Sequence, residues 1–132
     1  MKIRRLGVGD EDVVRQLAVR EPQTALLADD RTIMLAAFED DKPVGFVLAY
    51  ALPRRHGDAA MLSIYEIDVD AERRRAGIAT ALMHHLSELA RERGIAEGFL
   101  LTNESNEAAM AFYASLAGER PNQDDVLWLL RF

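Results

Sequence analysis

The chain has 132 residues, 49% of them hydrophobic and 29% charged, a composition that fits one globular domain spanning 1–132. There is no cysteine, which excludes disulfides, thiolate metal sites and a thiol nucleophile. A formal net charge of -6 speaks against nucleic acid as a partner and suits either a cationic small molecule or plain solubility.

Residues 1–6 alternate as a first strand, and their apolar length is too short for the hydrophobic region of a signal peptide. No apolar run approaches the ~18 residues of a spanning helix, so no membrane partner is expected and the cytoplasm is the expected compartment. Asp10 is placed to cap a helix carrying Val13, Val14, Leu17 and Ala18. Pro22 ends or restarts it, and 23–28 reads as a second short helix. Residues 32–38 and 43–52 are apolar runs separated by Glu39-Asp40-Asp41-Lys42, the pattern of an antiparallel hairpin. After a polar loop over 53–58, Ala60–Val69 reads as a long strand, apolar on both faces at its start and therefore central.

Ile78, Leu82, Leu86 and Leu89 then recur at helical spacing, with Arg91 and Arg93 in the last turn and Gly94 as the terminating residue. Residues 98–101 read as a short buried strand. Asn106 is placed to cap a helix bearing Ala109, Phe112, Tyr113 and Leu116, and 126–132 reads as a terminal strand. The expected fold is α/β, with a mixed sheet that is antiparallel in its N-terminal half and parallel in its C-terminal half, flanked by helices.

The segment Arg73-Arg74-Arg75-Ala76-Gly77-Ile78-Ala79 lies between a strand end and a helix start. The first N–H groups of a helix lack internal partners and sit at the positive end of its dipole, so they suit an anion. Gly77 and small Ala79 let a phosphate approach the main chain, and neighbouring arginines can pair with further phosphate oxygens. The spacing is neither a P-loop nor a dinucleotide-binding glycine fingerprint. A solvated, charge-rich helix start is the plainer alternative.

Read with 106–118, the stretch 65–82 resembles the GNAT superfamily of acetyl-CoA-dependent N-acetyltransferases. Arg74, Gly77 and Ala79 match its Gln/Arg-x-x-Gly-x-Gly/Ala signature, and Asn106, Ala109, Phe112 and Tyr113 match its Asn-x-x-Ala-x-x-Phe-Tyr signature. Within it, 64–82 resembles the class I aminoglycoside 3-N-acetyltransferases, which carry a carboxylate where this chain has Glu66. One departure is Leu116-Ala117-Gly118, where the family has Leu-Gly after the tyrosine; the change is expected to alter the helix end without touching Tyr113.

The resemblance implies acetyl-CoA as co-substrate. Backbone N–H groups over Arg74, Arg75, Ala76, Gly77, Ile78, Ala79 and Thr80 would hold its pyrophosphate. Ile67 and Val69 would splay from their neighbour and offer main-chain groups to the pantetheine arm, and Asn106 would contact that arm. Glu66 and Asp68 lie two apart on a strand whose preceding same-face residues are Leu62 and Ile64, and a bulge could rotate one of them away. Glu66 is the expected base or amine anchor, Asp68 the lesser candidate, and Tyr113 the expected general acid for the departing thiolate. Strand-end carboxylates in solvent and core aromatics on a helix are the plainer alternatives.

Asp124 and Asp125, with Asp29, Asp30 and Asp58, are expected to rim the acceptor cleft and favour a polycation. His84 and His85 are adjacent and cannot form an i, i+4 metal pair, His56 lies in a loop, and no metal is expected. The expected reaction is acetylation of a primary amine on a cationic small molecule, with an aminoglycoside first. A polyamine, a protein or peptide amine, and a non-catalytic CoA-binding sensor are the alternatives. The run Val126-Leu127-Trp128-Leu129-Leu130 could pair across a homodimer as well as fill the core.

Overall fold

A computed structural model of the chain describes residues 1–132. The residues fall into two compact units, Met1–Leu101 and Thr102–Phe132.

The first unit is built on β1 (Lys2–Arg5), α1 (Glu11–Leu17), a 3-10 turn (Ala25–Ala28), β2 (Thr32–Glu39), β3 (Lys42–Pro53), β4 (Ala60–Val69), α2 (Ile78–Glu92) and β5 (Gly98–Phe99). The strands form one sheet in the order β1-β2-β3-β4-β5, antiparallel except for the parallel pair β4–β5. The expected mixed α/β sheet is therefore present. Its β2–β3 hairpin turns on Asp40 and Asp41 with φ of 48° and 65°. That left-handed pair matches the strand twist, and aspartate tolerates it better than most residues.

Alternation along β2 sends Ile33, Leu35 and Ala37 to one face and Met34, Ala36 and Phe38 to the other. The first face packs against Ile78, Leu82 and Leu86 of α2, and the second against Leu6, Val14 and Leu27 on the α1 side. Two apolar faces explain why β2 reads as an unbroken hydrophobic run. Asp10 stands at the N-cap of α1, but its carboxylate turns away from the helix. It accepts from the Gly7 N–H at 2.8 Å and pairs with Arg4 at 2.9 Å. The Arg4 hydrogen bond, with the Gly7 N–H as a smaller contribution, lowers its pKa below the ordinary carboxylate value. Gly94, with φ of 72°, ends α2 as expected.

Two features of β4 shape the functional surface. Its pairing with β5 covers only Leu62↔Gly98 and Ser63↔Phe99, so the strand is interior at its start and open along 64–69. Strand β5 is shorter than the expected 98–101 and exposed rather than buried, with Phe99 at 42% exposure. A Cβ at Gly98 would lie 3.1 Å from Leu62 Cβ, so glycine permits the close approach that this short ladder needs. The second feature is a register shift against β3, where Leu48 pairs with Glu66 but Ala49 pairs with Ile64. Tyr65 is thus an extra residue, a β-bulge.

The second unit holds α3 (Glu107–Ser115), capped by Asn106, whose Oδ1 accepts from the Ala109 N–H at 3.0 Å. The strand expected over 126–132 does not form. Val126, Leu127, Trp128, Leu129 and Leu130 are all exposed, and no ladder pairs them. Apolar β-prone residues favour an extended chain, but a strand exists only when a partner satisfies its main chain, which composition does not specify.

Leu82 is fully buried in the α2 face of the core. Leu82→Ala should therefore cost about 2–5 kcal/mol of unfolding free energy by the transfer and cavity terms, measured by urea denaturation.

Candidate active site

After β4 the chain makes a 3-10 turn (Ala71–Arg73) and enters α2 through Arg74-Arg75-Ala76-Gly77. Arg75 and Gly77 both take left-handed backbone, with φ of 64° and 80°. No protein group accepts a hydrogen bond from the backbone N–H of any residue from Arg74 to Thr80. The Arg73 N–H, by contrast, donates to the Asp70 carbonyl at 2.8 Å, and the Ala81 N–H donates to the Gly77 carbonyl at 3.0 Å. Seven consecutive amides, three of them at the start of a 15-residue helix, are thus left free beside a hollow of about 150 Å³. Val69, Arg73, Arg74, Gly77 and Thr80 are among its lining residues. A Cβ at Gly77 would meet nothing within 4 Å, so the space before it is open. Such an arc of amides and a helix dipole suits an anion.

The three arginines are not equivalent. Arg73 Nε donates to Glu39 Oε2 at 2.6 Å, and Arg74 Nε donates to the Val69 carbonyl at 3.3 Å while its Nη2 lies 3.7 Å from Asp68 Oδ1. Arg75 is left without a protein partner.

The bulge at Tyr65 changes the expected arrangement of the carboxylates. Leu62 and Ile64 pack on the α2 face before it, and Ile67 and Val69 return to that same face after it. Glu66 and Asp68 pair with Leu48 and Phe46, which belong to the α1 face. They therefore do not continue the Leu62–Ile64 row. One added residue rotates both, where plain alternation would leave them on the α2 side and a bulge affecting one alone would separate them. The main chain is re-aimed as well. The Asp70 N–H bonds to the Val44 carbonyl at 2.8 Å, so Asp68 and Glu66 turn their main-chain groups to β3. Those of Ile67 and Val69 face the open edge. There the Val69 N–H donates to Asp68 Oδ1 at 2.9 Å and the Val69 carbonyl accepts from Arg74, which leaves the Ile67 N–H without a side-chain acceptor.

Asp68, Val69 and Asp70 also line a larger cleft of about 420 Å³, with Gln16 and Leu17 of α1 and Phe46 of β3. Glu66 is exposed and engaged in neither an ion pair nor a side-chain hydrogen bond. Beside it are two tyrosines that sequence pattern did not single out. Tyr50 and Tyr65 meet edge to face, with ring centroids 6.0 Å apart and planes at 68°. Burial and the Glu66 charge push the Tyr50 phenol above its ordinary value. The only signal for them was a tyrosine beside a glutamate on a strand, which alternation places on opposite faces.

In the second unit, Tyr113 is half-buried on α3 with its ring 5.3 Å from that of Phe112, and burial raises its pKa. The departure after Tyr113 does reach the tyrosine's main chain. Ala117 adopts φ of 61°, its N–H bonds to the Ala114 carbonyl at 3.0 Å, and the Gly118 N–H bonds to the Tyr113 carbonyl at 3.0 Å. This is a left-handed helix end in which alanine stands where glycine is preferred. Asp124 and Asp125 close a local turn with Asn122, which donates to Asp125 Oδ1 at 3.0 Å and accepts from the Asp124 N–H at 3.0 Å. His84 is exposed and His85 half-buried on α2.

A family model described as the acetyltransferase (GNAT) family matches residues 4–118. The chain belongs to that family. The fold of this family implies acetyl-CoA as co-substrate. The GNAT chain is 34% identical over 123 residues to a mycothiol acetyltransferase of Kocuria rhizophila, covering 91% of this chain and 38% of that protein. It spans less than half the length of the curated relatives it matches. An aminoglycoside acetyltransferase from an uncultured soil metagenomic sample, in complex with sisomicin, superposes with a TM-score of 0.89 at 21% identity, covering 99% of this chain and 96% of that one. A ribosomal-protein-alanine N-acetyltransferase from Brucella melitensis biovar Abortus 2308 superposes with a TM-score of 0.80 at 28% identity over the whole of both chains. The residues of the α2 turn fit the implied co-substrate: seven free amides, an unpaired Arg75 and an open hollow suit a diphosphate.

Two substitutions test this local geometry. Gly77→Ala has room for its methyl group but places it on left-handed backbone, and should cost about 1–2 kcal/mol of stability together with a rise in the Kd for CoA, read by thermal unfolding and calorimetry. Ala117→Gly should stabilise the protein by about 1 kcal/mol, read as a raised Tm, by relieving the same strain at the end of α3.

Proposed function

We propose that this domain transfers the acetyl group of acetyl-CoA directly to a primary amine of a cationic small molecule, in first place an aminoglycoside. The observation that carries the reading is the free N–H row from Arg74 to Thr80 at the open edge of β4, in a chain matched to the GNAT family over 4–118. The similarity in fold to aminoglycoside acetyltransferases and the net charge of -6 support the acceptor class.

In this reading the amides of Arg74, Arg75, Ala76, Gly77, Ile78, Ala79 and Thr80 hold the pyrophosphate, with Arg75 on a further phosphate oxygen. When bound, acetyl-CoA supplies an acetyl group activated as a thioester. Ile67 and Val69 hold the pantetheine arm along the open edge, and Asn106 contributes beside its capping bond. The Ile67 N–H is the donor free to polarise a carbonyl, an interaction worth about 3 kcal/mol. Glu66, uncommitted to any cation, takes a proton from the acceptor ammonium or anchors it, with Asp68 assisting. Asp124 and Asp125 add negative charge that favours a polycation. Tyr113, a phenol and so protonated at neutral pH, has a proton to give to a thiolate, and burial raises its pKa further.

A second acceptor class has one observation behind it. The Brucella ribosomal-protein-alanine N-acetyltransferase matches at 28% identity over both whole chains, which favours a peptide α-amine. Measuring thioester consumption with kanamycin, spermidine and an Ala-terminated peptide separates the classes, and NMR of the product tests whether the 3-amino group of an aminoglycoside is the one acetylated.

Tyr113→Phe should lower kcat by about 100-fold or more while CoA binding is kept. Activity needs the protonated phenol, so the wild-type rate should fall as pH rises past the raised pKa, and that alkaline limb should be missing from the variant. A wild type that binds CoA and acetylates none of the three amines would instead favour a sensor.

A further inference from the structure

The bulge in β4 does more than turn the carboxylates over. Where a strand carries one extra residue, the two residues that oppose a single partner share a face. Here they are Tyr65 and Glu66, both opposite Leu48. Ordinary alternation would have set the tyrosine and the glutamate on opposite sides of the sheet. Tyr65 is 66% exposed, on the stretch of β4 that β5 leaves open. Its ring meets that of Tyr50, which is half-buried and rests against the α1-side core, so one ring is anchored and the other stands in solvent. Their 68° inter-plane angle leaves aromatic faces directed at different sides of one corner.

The charges nearby have one sign left over. Asp29, whose field also reaches Tyr50, is neutralised by Arg31 at 3.0 Å. Asp68 is shared between the Val69 N–H and Arg74. Glu66 has no cationic partner at all. Aromatic faces carry negative potential and attract ammonium groups, and an unpaired carboxylate beside them adds to that attraction.

We propose that Tyr50, Tyr65 and Glu66 form a receiving corner for the ammonium group of a small polycationic amine, and so select the acceptor. This rests on the acetyltransferase reading for its role in turnover, while the corner itself is a statement about cation binding. The aromatic rings hold the ammonium by their faces, and Glu66 supplies the counter-charge. Tyr65 is a specificity-determining residue, and the bulge is what brings Glu66 to its side of the sheet.

The test is calorimetric titration of the full chain with spermidine in the presence of saturating CoA, at low salt. Wild type is compared with Tyr65→Leu, Tyr65→Phe and Glu66→Gln, each first checked for unaltered thermal unfolding, which the exposure of both side chains allows. Tyr65→Leu should weaken spermidine binding by about 3- to 30-fold, because the ring face is lost. Tyr65→Phe should stay within about 2-fold, because the face is kept, and Glu66→Gln should weaken binding and flatten its salt dependence. Equal affinities in wild type and Tyr65→Leu overturn the proposal, as does an equal loss in the Phe and Leu variants. Spermidine that binds through Tyr65 without being acetylated supports the corner and removes the transferase reading for that acceptor. Spermidine acetylated with a KM indifferent to Tyr65→Leu overturns the corner and leaves the transferase reading in place.

Discussion

A β-strand has a side-chain period of two, so inserting one residue exchanges the faces of everything that follows. In β4 the inserted residue is Tyr65, and the surface around the candidate site follows from it. Without the bulge, the same residues in plain alternation would point Glu66 and Asp68 into the α2 face, against Leu82 and Leu86, where unpaired carboxylates are costly to bury. With it, Ile67 and Val69 fill that face instead, and the core beneath α2 stays apolar from Leu62 to Ile78.

The same insertion redirects the backbone. Beyond Tyr65, the main-chain groups of Ile67 and Val69 turn to the edge that β5 leaves uncovered after two pairs. An open strand edge normally invites aggregation, and proteins tend to blunt it. Here the Val69 carbonyl and N–H are engaged by Arg74 and Asp68, which closes one end of the edge and leaves Ile67 available. A few residues on, the left-handed conformations of Arg75 and Gly77 gather the free amides at the start of α2. Bulge, short β5 and strained turn are three separate local departures from regular structure, and they border one stretch of chain. Departures of this kind are retained where function requires them.

The arginines of the turn show how packing differentiates residues that look alike in sequence. Arg73 is held by Glu39 from the β2–β3 hairpin and Arg74 by β4, while Arg75 alone is unengaged. Similarly, Tyr113 would be one more helical aromatic by pattern, yet its carbonyl carries the bond that ends α3. Ala117 takes up left-handed backbone as the Gly118 N–H reaches that carbonyl, and position 118 needs glycine because a Cβ there would lie 2.9 Å from the Tyr113 oxygen.

What the amino-acid order determined by itself was local. The helix stripe from Ile78 to Leu86, the stop at Gly94, the Asp40-Asp41 hairpin, the Asn106 cap and the left-handed turn at Gly77 are each specified by neighbours within a few residues. The mixed α/β sheet followed from their order. Tertiary structure alone decided which residues share a face and which strands find partners. Tyr65 is an insertion only relative to β3, a strand more than ten residues away, so alternation within β4 could not reveal it. The segment 126–132 carries every strand propensity yet pairs with nothing, and β5 stops after two residues. Pairing is a property of two segments together, and a single segment's composition records only its own half.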